Sequence, residues 1–122
     1  MTYSFMNRAT LGLSLALAAV LMLAPQLIFW LFGLEPHVSA EVISRRAALL
    51  FGILALMLWA LRALEPQSVT AKSVAKAIAA GMLALALLGL TELALGRVGF
   101  GILLAITAEL GFAYGWMKVF KS

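Results

Sequence analysis

The chain has 122 residues, 65% of them hydrophobic and 11% charged, with no cysteine and a formal net charge of +4. Soluble domains are about 45–50% apolar and about 25% charged, so the apolar side chains here outnumber the positions one small core can enclose, and the surplus must face lipid or other protein. The lack of cysteine excludes a disulfide framework, a thiolate metal site and a thiol nucleophile. The nine Lys and Arg, spread in ones and twos along the chain, form no basic stripe for nucleic acid.

The first apolar stretch runs from Ala9 to Leu34 without a charge, longer than the ~20 residues a bilayer core requires. A signal peptide is the competing reading, with Arg8 as its basic start and LGLSLALAAVLML as its apolar region. Apolarity continues through LIFWLFGL with no small-x-small cleavage site, so the stretch is read as a span. Pro25 removes a backbone donor inside it and predicts a kink or break. The second span lies between Arg46 and Arg62 and the third between Lys76 and Glu92, each enclosing 15 uncharged residues. Such spacing covers about 24 Å by helix rise, enough for a bilayer core if the flanking side chains snorkel. The fourth, between Arg97 and Lys118, encloses 20 residues with Glu109 among them.

Helices are thus expected over about 8–34, 42–64, 71–95 and 98–119, forming one domain across residues 1–122. Pro36 and Pro66 are expected to stop helices, Ser39 or Ser44 to cap the second helix, and Ser68 or Thr70 the third. Short final connections predict that helices 2, 3 and 4 pack as consecutive antiparallel neighbours. The fold class is an all-α integral membrane bundle of four transmembrane helices, up-down-up-down. One side carries Arg8, Arg62, Lys72, Lys76, Lys118 and Lys121, the other Arg45, Arg46 and Arg97 with Glu35, Glu41 and Glu92. The positive-inside rule then places both termini in the cytoplasm and the chain in the inner membrane as a multi-pass protein. Trp30, Trp59 and Trp116 lie near helix ends, where amphipathic rings favour the interface.

Two constellations stand out. Glu41, Arg45, Arg46, Glu92 and Arg97 form an outer-side charge cluster, with Arg46 and Glu92 expected at the same height and an ion pair between them available. It reads as electrostatic stapling of the bundle, or as an anion or headgroup site, since paired arginines suit phosphate and carboxylate. Glu109 lies near the bilayer midplane by helix rise, where an ionised carboxylate costs several kcal/mol, so it is expected to be protonated, paired or lining a hydrated cavity. Its face includes Ala105, Ala108 and Gly115; with Gly111 in the same helix and Gly81 and Gly89 in helix 3, these are candidate helix-packing positions. Ser14, Gln26, Thr107 and Tyr114 are the polar residues within reach of its depth.

No HExxH, GxSxG, P-loop or GxGxxG motif occurs and aspartate is absent, so no catalytic residue, metal ligand or cofactor site is expected and the chain is read as a non-enzyme. His37 stands in a loop without a second histidine. The run SRRAALLFGILALMLWALRALEP, followed by GLTELALGRVGFG and a fourth helix with Glu109 beside GFAYGW, resembles small bacterial inner-membrane proteins of four helices whose function is unassigned. In that resemblance Arg46, Gly96, Arg97 and Glu109 correspond to shared positions, and it implies a fold and no activity. Small multidrug transporters resemble a different pattern, with a carboxylate in helix 1, which has none here. The functional expectation is an accessory or structural subunit docking laterally in a membrane assembly, its partners being lipids, other integral membrane proteins or further copies of itself, and not nucleic acid. The alternative is a small oligomeric carrier or channel using Glu109 to couple protons or cations.

Overall fold

The computed structural model describes residues 2–35 and 37–121 and is built from helices, with no strand among them. In chain order these are α1 (Tyr3–Leu23), α2 (Pro25–Phe32), α3 (Val38–Ala60), α4 (Val69–Ala94) and α5 (Ile102–Lys121). Four are long and apolar enough to cross a membrane: Tyr3–Leu23, Ala40–Ala60, Val69–Ala94 and Ile102–Lys121. The chain is an all-α, multi-pass membrane protein.

Local chemistry sets the helix ends. α1 begins five residues before the expected start because the Thr2 hydroxyl accepts a hydrogen bond from the Phe5 N–H and caps it. It stops at Leu23 because Ala24 precedes Pro25, whose ring disfavours the helical region for its neighbour, and Ala24 sits at φ −145°, ψ 61°. Pro25 then opens α2 at a position where a missing N–H costs nothing. The expected single helix over 8–34 is therefore two. Ser68, one of the two expected caps, accepts from the Ala71 N–H at the start of α4. α3 begins earlier than expected, after His37, which makes no side-chain cap bond, so Ser39 and Ser44 fall inside the helix; Pro36 lies outside the described residues.

Gly33 and Gly96 adopt left-handed φ values of 67° and 72° and end α2 and α4 in the same way. Beyond Gly96 the Arg97 N–H returns to the Glu92 carbonyl and the Gly96 N–H to Leu93. Beyond Gly33 the Leu34 N–H returns to Phe29 and the Gly33 N–H to Trp30. Each is a six-residue helix termination that satisfies carbonyls otherwise left without partners, and glycine takes the left-handed position at no steric cost.

Many large apolar side chains are exposed, including Ile43, Leu50, Leu56, Leu87 and Leu104. These residues would gain nothing by leaving lipid for protein, so close backbone approach and hydrogen bonds must organise the bundle. One core cluster joins Tyr3 and Met6 of α1, Ala71, Ala75 and Ala79 of α4, and Trp116 and Val119 of α5. The alanines recur every fourth residue, and the low ridge they make lets the large side chains of the other helices settle on α4. A second cluster, at the opposite end, joins Ala86 to Ile102 and Ile106. Gly89 belongs to the same end: a Cβ on it would stand 2.9 Å from Ile106 Cγ1.

α1 packs on α3, α4 on α5, and α1 on α5, whereas α3 and α4 scarcely touch. In place of the expected contact between the second and third spans is an apolar cleft of about 520 Å³. Two hairpins, joined through α1 and α5, thus form a bundle open along one seam. The expectation of three consecutive packed neighbours holds for α4 and α5 and fails for α3 and α4, because the polar contacts described next draw α3 to α1.

Candidate functional site

Hydrogen bonds between helices gather on one stripe of α1. Tyr3, Asn7, Thr10 and Ser14 are all buried and follow one another at spacings of four, three and four residues, which keeps them on one helix face. Asn7 is 1% exposed, and its Nδ2 donates to the Leu58 carbonyl of α3 at 3.0 Å. The Tyr3 hydroxyl donates to the Leu61 carbonyl at 2.9 Å. Leu58 lies in the last turn of α3 and Leu61 is its C-cap, where helix geometry leaves carbonyls short of intrahelical donors. On its other side α1 meets α5: the Trp116 Nε1–H donates to Thr10 Oγ1 at 2.8 Å, and the Tyr3 and Trp116 rings meet edge to face at 5.8 Å. The pairing of Tyr3 with Leu61 and Asn7 with Leu58 shows that α1 and α3 run antiparallel, and it fixes their register.

The signal for this seam is in the sequence, since 3, 7, 10 and 14 carry the spacing of a packed helix stripe, but an expected start of α1 at residue 8 leaves Tyr3 and Asn7 outside the helix. Trp116, expected at the interface with Trp30 and Trp59, is fully buried in the bundle, while the other two are exposed. The indole N–H explains the difference: inside the bundle it has the Thr10 hydroxyl as a partner.

Glu109 lies on the inward stripe of α5 between buried Ile106 and Ala113. By helix rise it is about 10 Å from the first residue of α5 and about 18 Å from the last. It belongs to neither core cluster and sits in the interval between them. Its Oε2 is enclosed and has no hydrogen-bond partner among the described residues. The Thr107 hydroxyl is committed to its own helix, donating to the Leu103 carbonyl at 2.8 Å; Tyr114 is exposed beside Lys118 Nζ, which lies 5.4 Å from its ring centre, and Gln26 is exposed. The carboxyl is thus placed where an unmet hydrogen bond costs about 1–3 kcal/mol.

The outer charge cluster separates into parts. Glu92 pairs with Arg97 at 3.5 Å, a contact made by the same turn that Gly96 allows. No ion pair joins Glu92 to Arg46 among the described residues, because the cleft holds α3 and α4 apart. Arg45 and Arg46 are exposed, and Glu41, half-buried one turn before Arg45, forms no ion pair with it. His37 lies 3.6 Å from Glu35. Among the described residues no three of His, Asp or Glu gather in a group.

The small residues divide in the same manner. Gly89 and Gly115 are buried and Ala105 is half-buried, so these three serve contacts inside the chain. Gly81, Ala108 and Gly111 are exposed, and a Cβ added to Gly81 or Gly111 would meet nothing within 4 Å. Gly81 lines the cleft between α3 and α4 with Phe51, Leu54, Met57, Ala77 and Met82. The chain matches no protein-family model, no curated protein and no solved structure.

Proposed function

We propose that this chain is a non-catalytic accessory or structural subunit that docks laterally in a larger inner-membrane assembly, with both termini on the cytoplasmic side. The observation that carries this reading is the open seam between α3 and α4. It is lined by small residues that admit a close approach, Ala77 and Gly81, and by flexible methionines that mould to a neighbour, Met57 and Met82. A transmembrane helix of another subunit is the occupant that suits these walls. Ala108 and Gly111 on α5 offer a second, flatter place for contact.

Gly81→Leu tests the reading. A Cβ at position 81 meets nothing within 4 Å, and the cleft of about 520 Å³ has room for the rest of the side chain, so the bundle should fold as before while the seam is filled. Native mass spectrometry of protein extracted in lipid nanodiscs should show a partner subunit with the wild type and at least tenfold less with the variant. Equal partner retention by the two proteins would sink the proposal for this seam.

A second reading is favoured by the unpartnered Oε2 of Glu109: a small carrier or channel in which this carboxyl takes up and releases a proton. Glu109→Gln keeps the shape and removes titration. For a carrier, proton-coupled flux in proteoliposomes should fall to background in the variant. Unchanged behaviour in flux and assembly would eliminate the relay.

A further inference from the structure

Beyond its docking role, the chain carries a second hollow, of about 230 Å³, between the first turns of α1 and the end of α3, lined by Ser4, Asn7, Arg8, Leu11, Trp59 and Arg62. Two of the six are arginines and none is acidic. Arg62 is held in place: its Nη1 donates to the Trp59 carbonyl at 2.6 Å, and its guanidinium carbon lies 3.9 Å from the centre of the Trp59 ring. Those contacts use one of five N–H donors and one face, leaving the rest of the fork available. Among the described residues neither Arg8 nor Arg62 has a carboxylate partner, and Glu65, three residues beyond Arg62, pairs with neither.

Two guanidiniums lining one hollow repel each other, and an anion between them replaces that repulsion with charge-assisted hydrogen bonds. The remaining lining is graded. Ser4 adds a hydroxyl in the first turn of α1, Asn7 is fixed in the wall by its bond to Leu58, and Leu11 with the Trp59 ring supplies an apolar side one turn deeper. The hollow lies at the terminal turns of two membrane-spanning helices, where headgroups are found. We propose that it binds a phosphate group through Arg8 and Arg62, with Ser4 as a third donor, and that the apolar wall receives the glycerol and upper acyl region of an anionic phospholipid.

The test uses the full chain in neutral detergent, titrated with short-chain phosphatidylglycerol, phosphatidylcholine of the same chain length, and inorganic phosphate, with bound molecules counted by native mass spectrometry. One phosphatidylglycerol per chain should be retained, at least tenfold more tightly than phosphatidylcholine. Arg8→Gln and Arg62→Gln should each weaken it about tenfold, whereas Arg45→Gln, at the other end of the bundle, should change it less than twofold. Binding of inorganic phosphate that is lost in the same two variants, without lipid retention, would assign the site to a soluble phosphate. Equal retention of the two lipids with no phosphate binding, or arginine variants that bind like the wild type, would overturn the proposal. The comparison of the two lipids needs no variant, and Arg8 is an exposed side chain with no ion pair to lose, so a folding defect in Arg62→Gln would leave both tests intact.

Discussion

Truncating Trp116 to Ala should destabilise the bundle more than any other single side-chain deletion in α5. In water such a change costs about 3–5 kcal/mol, part of it lost transfer energy and part the cavity left behind. In lipid the transfer part largely falls away, because separated helices already sit among apolar tails. What remains is the cavity where α1, α4 and α5 meet and the lost bond to Thr10, together about 2–3 kcal/mol. Trp116→Phe gives up the N–H and part of the ring volume, so it should cost less, about 1–2 kcal/mol. Trp30→Ala, at an exposed position, should fall near zero. Reversible unfolding in mixed micelles would rank the three. A Trp116→Ala variant no weaker than Trp30→Ala would show that the seam does not hold α1 to α5.

The second large effect is expected at Gly101. The backbone of residues 31–33 at the end of α2 lies directly on residues 99–101: the Gly99 N–H donates to the Phe32 carbonyl at 2.6 Å, and a Cβ on Gly101 would overlap the Leu31 carbonyl itself. Because the obstacle is backbone rather than the tip of a flexible side chain, Gly101→Ala must push α2 away from the start of α5 and break the Gly99 bond. A loss of about 2–3 kcal/mol is expected, at the upper end of overpacking costs. Gly111→Ala is the matched control in the same region of the chain. Its Cβ meets nothing and it sits in a helix interior, so about 0.5–1 kcal/mol should be gained. Thermal unfolding in detergent reads both, and equal midpoints for the two variants would show that the close approach at Gly101 carries no energetic weight.

The four spans follow from apolar run length, since backbone groups in a bilayer must be satisfied within the helix. The break at Pro25, the cap at Ser68 and the turn at Gly96 follow from local chemistry that acts over a few residues. The start of α1 did not, because Tyr3 and Asn7 look like a polar lead-in until their partners at Leu61 and Leu58 are seen. Equal span length sets Arg46 and Glu92 at one height in the membrane but says nothing of lateral neighbours, and no ion pair joins them among the described residues. Thr107, two residues before Glu109, shares its depth, but its hydroxyl is bonded to the Leu103 carbonyl.

By itself, then, the sequence determined the class, the number of spans, the sites of helix breaks and the presence of one acid deep in the fourth span, all of which are properties of single helices. Which helices touch was decided only in three dimensions. These helices are apolar around nearly their whole circumference, so no polar face distinguishes inside from outside. A few hydrogen bonds and close backbone approaches break that symmetry: Asn7 on Leu58, Trp116 on Thr10, Gly101 under Leu31. Together they seat α1 between α3 and α5, leave the seam between α3 and α4 open, and set Glu109 in the interval between the two cores.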